Sequence, residues 1–181
     1  MKNALLLHGT GGNPMGNWFP WLKEQLEQKG YKVWCPDLPL AEKPNIARYK
    51  QYLFENWKLD KYSIIIGHSS GAVAALGLLQ FLPVGLQIKK EILVSAFKDD
   101  LGIADLKELF VRPFNFEKIK NHCKRFVLIC SDNDPYIPLT HGQLLRDQLN
   151  GELVVLDGQK HFSIETMGEA YLKFPQILEY I

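Results

Sequence analysis

A short run rich in Ile, Val and Leu recurs six times along this chain, and a longer stretch with helical periodicity follows each recurrence. The runs occupy residues 4–7, 31–35, 63–66, 92–94, 126–130 and 153–156. Unbroken apolar runs of this length fit strands covered on both faces, as in a parallel sheet. Residues 18–29 carry Trp18, Trp21, Leu22 and Leu26 on one helical face. Residues 44–58 bring Ile46, Tyr49, Leu53 and Trp57 together at spacings of three and four. Residues 70–81 are apolar nearly all round, the mark of a buried helix, and Pro83 stops it. Further helices are expected over 140–149 and 175–181. Within 98–122 the pattern is weakest; helices over 105–110 and 116–122, broken by Arg112-Pro113, are the best reading. No repeat, low-complexity stretch or linker divides the chain. The prediction is one domain over residues 1–181, an α/β fold. It is a three-layer α/β/α sandwich with a mainly parallel six-stranded sheet and right-handed crossovers.

Composition narrows the function classes. At roughly 150 residues per domain, 181 residues leave little beyond one core. Lys plus Arg is 21 and Asp plus Glu is 20, a net charge of +1. Proteins that neutralise many phosphates carry a basic excess, so no nucleic-acid partner is expected. No apolar run approaches the roughly 20 residues of a membrane span, so no membrane partner is expected either. The opening residues Met1-Lys2-Asn3 and the run after them are too short for a secretory leader. Three cysteines, Cys35, Cys123 and Cys130, have no C-x-x-C spacing. That suits a reducing compartment rather than a disulfide framework or a structural zinc site. The expected location is cytoplasmic.

In open sheets of this kind ligands bind beyond the carboxyl ends of the strands, so the chemistry is sought just after each run. After the third run stands Gly67-His68-Ser69-Ser70-Gly71, a G-x-S-x-G between a strand and an apolar helix. This arrangement lifts the Ser69 hydroxyl onto a strained turn, the two glycines leave room for a close strand–helix crossing, and the Ser70 amide faces a developing oxyanion. A Gly-Ser turn that merely caps a helix would read the same in isolation. A serine hydroxyl is a weak nucleophile near neutral pH and needs a base, which in turn needs an orienting carboxylate. The elbow fold orders these as Ser, acid, His. After the fifth run comes Ser131-Asp132-Asn133-Asp134-Pro135, and after the sixth Asp157-Gly158-Gln159-Lys160-His161. Of five histidines, only His161 occupies the loop after the last strand. Asp132 and Asp134 compete for the acid role, the loser being expected as an Asx-type turn residue. Asp37 is better explained as loop structure. The first run ends in His8-Gly9-Thr10-Gly11-Gly12, where the amide of Thr10 or Gly11 could complete an oxyanion hole with Ser70. A dinucleotide-binding turn disagrees in spacing, since the third glycine of G-x-G-x-x-G would fall at Pro14. No G-K-S/T follows, so a P-loop is excluded too.

With these loops in place, the chain resembles the α/β-hydrolase superfamily, and more closely the small serine hydrolases of the retinoblastoma-binding protein nine type. The resemblance covers essentially the whole chain. It runs through Ile64 to Ala72, Val94-Ser95-Ala96-Phe97, Asp100-Leu101-Gly102, Arg112-Pro113-Phe114, Phe116 to Lys120, Asp134-Pro135 and His161-Phe162. It implies Ser69 as nucleophile, His161 as base, Asp134 rather than Asp132 as orienting acid, and the amides of Thr10 and Ser70 as oxyanion donors. Six strands, their helices and the loops use nearly all of the 181 residues, so a minimal α/β-hydrolase fold without a cap domain is expected, with a site fairly open to solvent and no metal or organic cofactor. One departure is Lys160, where the family often has glycine before the histidine. Trp18, Phe97, Phe110, Phe114 and Tyr136, all near strand ends or in loops, are expected to wall a pocket for a small-molecule acyl substrate. Two alternatives stand beside an esterase: a peptidase or amidase, and a non-catalytic protein-binding module on the same scaffold. The family name records a protein partner, which the sequence itself does not indicate.

Overall fold

The computed structural model describes residues 2–181. The six runs become strands β1 (Asn3–Leu7), β2 (Lys32–Trp34), β3 (Ser63–His68), β4 (Lys90–Val94), β5 (Phe126–Ser131) and β6 (Glu152–Leu156). They form one sheet in the order β2-β1-β3-β4-β5-β6, and every neighbouring pair is parallel. Leu5 pairs with Ile65, Ile66 with Ile92, Ile92 with Val127 and Cys130 with Val155. The inner strands β1, β3, β4 and β5 are buried along their whole length, which is why their runs carry no polar alternation. The edge strand β2 has one neighbour only and shrinks to three residues.

Helices cover both faces. On one side α2 (Ile46–Asn56), α3 (Ser70–Leu79), α4 (Phe116–Asn121) and α5 (Leu139–Leu149) pack on Leu5, Leu7, Ile65, Leu93 and Leu128. On the other, α1 (Phe19–Gln28) and the carboxyl-terminal turns pack on Ala4, Leu6, Ile64, Ile66, Ile92 and Val94. The period-two alternation of a strand thus divides each run between two cores. Every residue of α3 is buried, as its unpatterned apolar sequence requires. The segment 98–122 yields a 3-10 turn at Ala104–Leu109, where an α-helix was expected, and then α4. The terminal helix is likewise a 3-10 turn, Pro175–Tyr180. Before it come α6 (Ile164–Met167) and a 3-10 turn at Gly168–Leu172, which no apolar periodicity foretold. Among the described residues, no helix is long and apolar enough to cross a membrane.

Strand order reverses between β1 and β3, so the loops leaving these two strands diverge and open a crevice. The other end of the sheet holds a buried misfit. Glu91 on β4 is fully buried, and neither carboxyl oxygen meets a hydrogen-bond partner among the described residues. Burial pushes this carboxyl well above the ordinary value of 4.5. The folded chain therefore keeps the Glu91 proton to a higher pH than the unfolded chain does. Its contribution to stability is fully present below the unfolded value and is lost as pH rises through the folded one. Glu91→Met, which removes the unpartnered group, is expected to stabilise the protein by about 1–3 kcal/mol. Urea unfolding at about pH 5 and pH 8 should show the gain larger at the higher pH; equal midpoints for the two proteins at both would contradict this.

Candidate active site

Ser69 sits between β3 and α3 with φ 55° and ψ −126°, a backbone region that strains any residue but glycine. The turn is held from both sides. The Ser69 amide donates to the Val94 carbonyl at 2.8 Å, and its carbonyl accepts from Ala72 and Val73 at 2.9 and 3.2 Å. Close crossing needs both flanking glycines. A Cβ on Gly67 would lie 2.4 Å from the Ala72 Cα, and one on Gly71 would lie 2.3 Å from the Leu7 and His8 carbonyl oxygens.

The loop after β1 faces the amino end of α3. Its Gly11 amide donates to the Ala41 carbonyl at 3.0 Å, which removes it from the pair of candidate oxyanion donors. The Thr10 and Ser70 amides have no acceptor among the described residues, and the Thr10 hydroxyl donates to Ser70 Oγ at 2.8 Å. Thr10 and Ser70 thus stand as the two free donors. His8 anchors this loop: its Nε2 accepts from the Leu38 amide at 3.0 Å, so Nδ1 carries the proton and donates to the Gly9 carbonyl at 3.0 Å. Burial lowers the pKa of His8, in keeping with a neutral ring.

Of the two competing acids, the structure brings Asp134 to His161. His161 Nδ1 lies 2.8 Å from Asp134 Oδ2 and 3.0 Å from Oδ1. Oδ1 also accepts from the Tyr136 and Ile137 amides at 2.9 and 3.1 Å, and Oδ2 from the Ser95 hydroxyl at 2.8 Å. The Asx-type turn expected of the loser therefore belongs to Asp134 itself. Burial would raise this carboxyl, but the hydrogen bond and charge of His161, the Tyr136 amide and the Ser95 hydroxyl outweigh it and hold the pKa below the ordinary value.

Asp132 has a different task. Its Oδ1 accepts from the Gly158 amide at 2.7 Å, while Ser131 Oγ accepts from Gln159 at 3.0 Å and Asn133 Oδ1 from Lys160 at 2.8 Å. Three consecutive residues from the end of β5 onward thus grip three consecutive amides before His161. This grip accounts for Lys160, whose φ of 47° is one that glycine adopts freely and lysine does not. Its ammonium reaches onward to the Thr166 carbonyl at 3.1 Å. From below, His68 Nε2 donates to the His161 carbonyl at 2.8 Å. Burial lowers the His68 pKa to about 3, so the ring is neutral and serves as a fixed donor.

Ser69 and His161 line one cleft of about 440 Å³ together with Phe97 and Tyr136. Tyr136 stands edge-on to the His161 ring at 5.0 Å, and its hydroxyl donates to Glu165 at 3.0 Å. The other three expected wall residues lie elsewhere. Phe110 and Phe114 line a separate groove with Phe116 and Leu144. Trp18 is wholly buried in the core beneath the sheet, and its indole N–H donates to the Phe162 carbonyl at 3.0 Å. Aliphatic Leu101, Ile103, Leu106 and Ile137 take the places left by these aromatics. Nothing in their spacing distinguishes them from core. Ser95 and the grip of Ser131 to Asn133 carry no motif of their own, although the strand-end rule that locates the other loops points to them equally.

Residues 4–181 match the serine hydrolase family. The chain is 30% identical over 164 residues to serine hydrolase RBBP9 of Rattus norvegicus, spanning 88% of this chain and 86% of that one. It is 27% identical over 169 residues to YdeN of Bacillus subtilis, spanning 89% and 86%. The crystal structure of the ydeN gene product superposes with a TM-score of 0.90 at 24% identity, over 99% of this chain and 96% of that one. Est1E from Butyrivibrio proteoclasticus, solved with ferulic acid bound, gives 0.73 at 15% identity over 99% and 89%, a likeness of fold alone. A match running from the first strand through the last turn reaches well beyond one shared motif, and the chain belongs to the serine hydrolase family, of the RBBP9 type, on a small α/β-hydrolase fold.

Proposed function

We propose that this protein hydrolyses a small acyl ester or amide through an acyl-enzyme intermediate on Ser69. The observation that carries the reading is the 2.8 Å contact between His161 Nδ1 and Asp134 Oδ2, in the cleft that also holds Ser69. Asp134 fixes the Nδ1–H tautomer and leaves Nε2 as the base. Ser69 Oγ attacks the substrate carbonyl carbon while its proton passes to His161 Nε2. The carbonyl π pair moves to oxygen, and the oxyanion is received by the Thr10 and Ser70 amides, each such donor contributing about 3–4 kcal/mol in the transition state. Collapse breaks the bond to the leaving group, which departs with the proton from His161. Water then attacks the acyl-enzyme by the same steps, giving a carboxylic acid and restoring Ser69. Phe97, Leu106 and Ile137 offer an apolar wall for a short acyl or aromatic group. Three unpaired thiols are in keeping with work in a reducing compartment such as the cytoplasm.

A fluorophosphonate probe tests this. It should label the native protein at Ser69 and leave Ser69→Ala unlabelled, and a panel of acyl esters and amino-acid amides should then rank the leaving groups. Absence of labelling in the native protein, or equal labelling of Ser69→Ala, would overturn the enzyme reading in favour of a binding module.

A further inference from the structure

Two serines at the ends of adjacent strands share one peculiarity. Ser69 after β3 and Ser95 after β4 both hold a positive φ, 55° and 49°. Ser69 has a reason for the strain, since the elbow presents its hydroxyl. Ser95 touches neither the attacking nor the leaving group, and it is 2% exposed. Its amide donates to the Ile129 carbonyl at 2.9 Å, which ties the strained turn to β5. Its hydroxyl donates to Asp134 Oδ2 at 2.8 Å, the oxygen that meets His161 Nδ1 at the same distance. Glycine would relieve the backbone at this position but would supply no hydroxyl.

We infer that Ser95 is a positioning residue for the reaction, fixing Asp134 Oδ2 in line with His161 and dispersing part of its charge. Three other donors serve this carboxylate: the Tyr136 and Ile137 amides, both on Oδ1, and His161 itself. Without Ser95, Oδ2 has His161 as its sole partner among the described residues, and the carboxylate is held against rotation through Oδ1 alone. The Asp134 side chain is 2% exposed, so solvent is poorly placed to substitute. An undispersed charge also holds the imidazolium proton more tightly, which makes the imidazole a poorer acid toward the leaving group.

The inference rests on the hydrolase reading, and its test separates the two. Ser95→Ala and Ser95→Gly are compared with the native protein, the second being free of the backbone strain should the first fold poorly. Both are expected to lower kcat by about tenfold with KM changed less than about twofold, as for an interaction strongest in the transition state. The acid limb of the pH–rate profile should move upward by about half a unit. In proton NMR, the downfield resonance of the His161 Nδ1–H should shift or broaden in both variants, a readout that needs no turnover. Native kcat, acid limb and resonance in both variants would overturn the role given to Ser95. A native protein that neither hydrolyses nor labels would overturn the hydrolase reading, while the resonance would still decide whether Ser95 holds the Asp134–His161 bond.

Discussion

Asp134→Asn is expected to lower kcat/KM by about ten-thousandfold, whereas Asp132→Asn should change it by less than about threefold. The two acids stand two residues apart on one loop, and sequence position alone leaves them equal. Their partners separate them. Asp134 receives four donors: the Ser95 hydroxyl, the Tyr136 and Ile137 amides, and His161 Nδ1. An asparagine has only one acceptor oxygen for these, and its amide group must face a donor whichever way it is turned. If the oxygen keeps the two backbone amides, the amide nitrogen faces His161 and forces the imidazole into the wrong tautomer. Nε2 then carries the proton and cannot accept one from Ser69. Among the described residues the sole acceptor in use at Asp132 is Oδ1, toward the Gly158 amide at 2.7 Å, and asparagine supplies that oxygen unchanged. Steady-state kinetics on the best ester of the panel checks both variants. Comparable losses in the two would mean that the grip on the base loop, rather than the tautomer, limits the rate.

Gly71→Ala is expected to destabilise the fold by more than about 3 kcal/mol, a large share of the 5–15 kcal/mol typical of a domain. The added Cβ would lie 2.3 Å from the carbonyl oxygens of Leu7 and His8 and 2.7 Å from the Leu7 carbonyl carbon. These are backbone atoms at the end of a central strand, so no side-chain rotation can give way. Relief requires α3 to move off β1, and α3 is the most deeply buried helix of the molecule. Moving it would also carry the Ser70 amide away from Thr10, so any folded fraction should lose activity beyond its loss of stability. The urea midpoint of the variant, read beside fluorophosphonate labelling of whatever remains folded, tests both halves. An unchanged midpoint would mean that the helix–strand crossing is looser than these distances allow.

Much of this architecture was legible in advance, for a physical reason. Buried parallel strands leave unbroken apolar runs, and the helices between them leave their own period, so the six strands and the principal helices could be placed within a few residues. The elbow was legible because glycine at 67 and 71 answers a steric demand that no other residue meets. That His161 stands in the loop after the last strand was legible from sequence order. What failed was direction. Trp18, Phe110 and Phe114 lie near strand ends in sequence, but whether a ring turns toward the cleft, the core or a neighbouring groove depends on the path of the following turn. The choice between Asp132 and Asp134 failed from the residues alone for a similar reason. Both follow β5, and position leaves them equal; the resemblance points to Asp134, and hydrogen-bond partners from the turn after β4 and the loop after β6 set the carboxylate bonded to His161 apart from the clamp. The short turns at 104–109 and 168–172 carry no apolar period because each contributes only one or two residues to a core.

Trp18, displaced from the pocket wall, acquires an optical meaning. Its indole N–H is bonded to the carbonyl of Phe162, next to His161, and its ring stands 5.9 Å from that of His68, which carries the base loop from below. The other tryptophans are Trp21, Trp34 and Trp57, the last two stacked on one another at 5.6 Å against the opposite core. A protein keeping Trp18 alone would carry a fluorophore shielded from water and substrate but wired to the backbone of the base loop. Its emission would follow that loop through the catalytic cycle without an added dye.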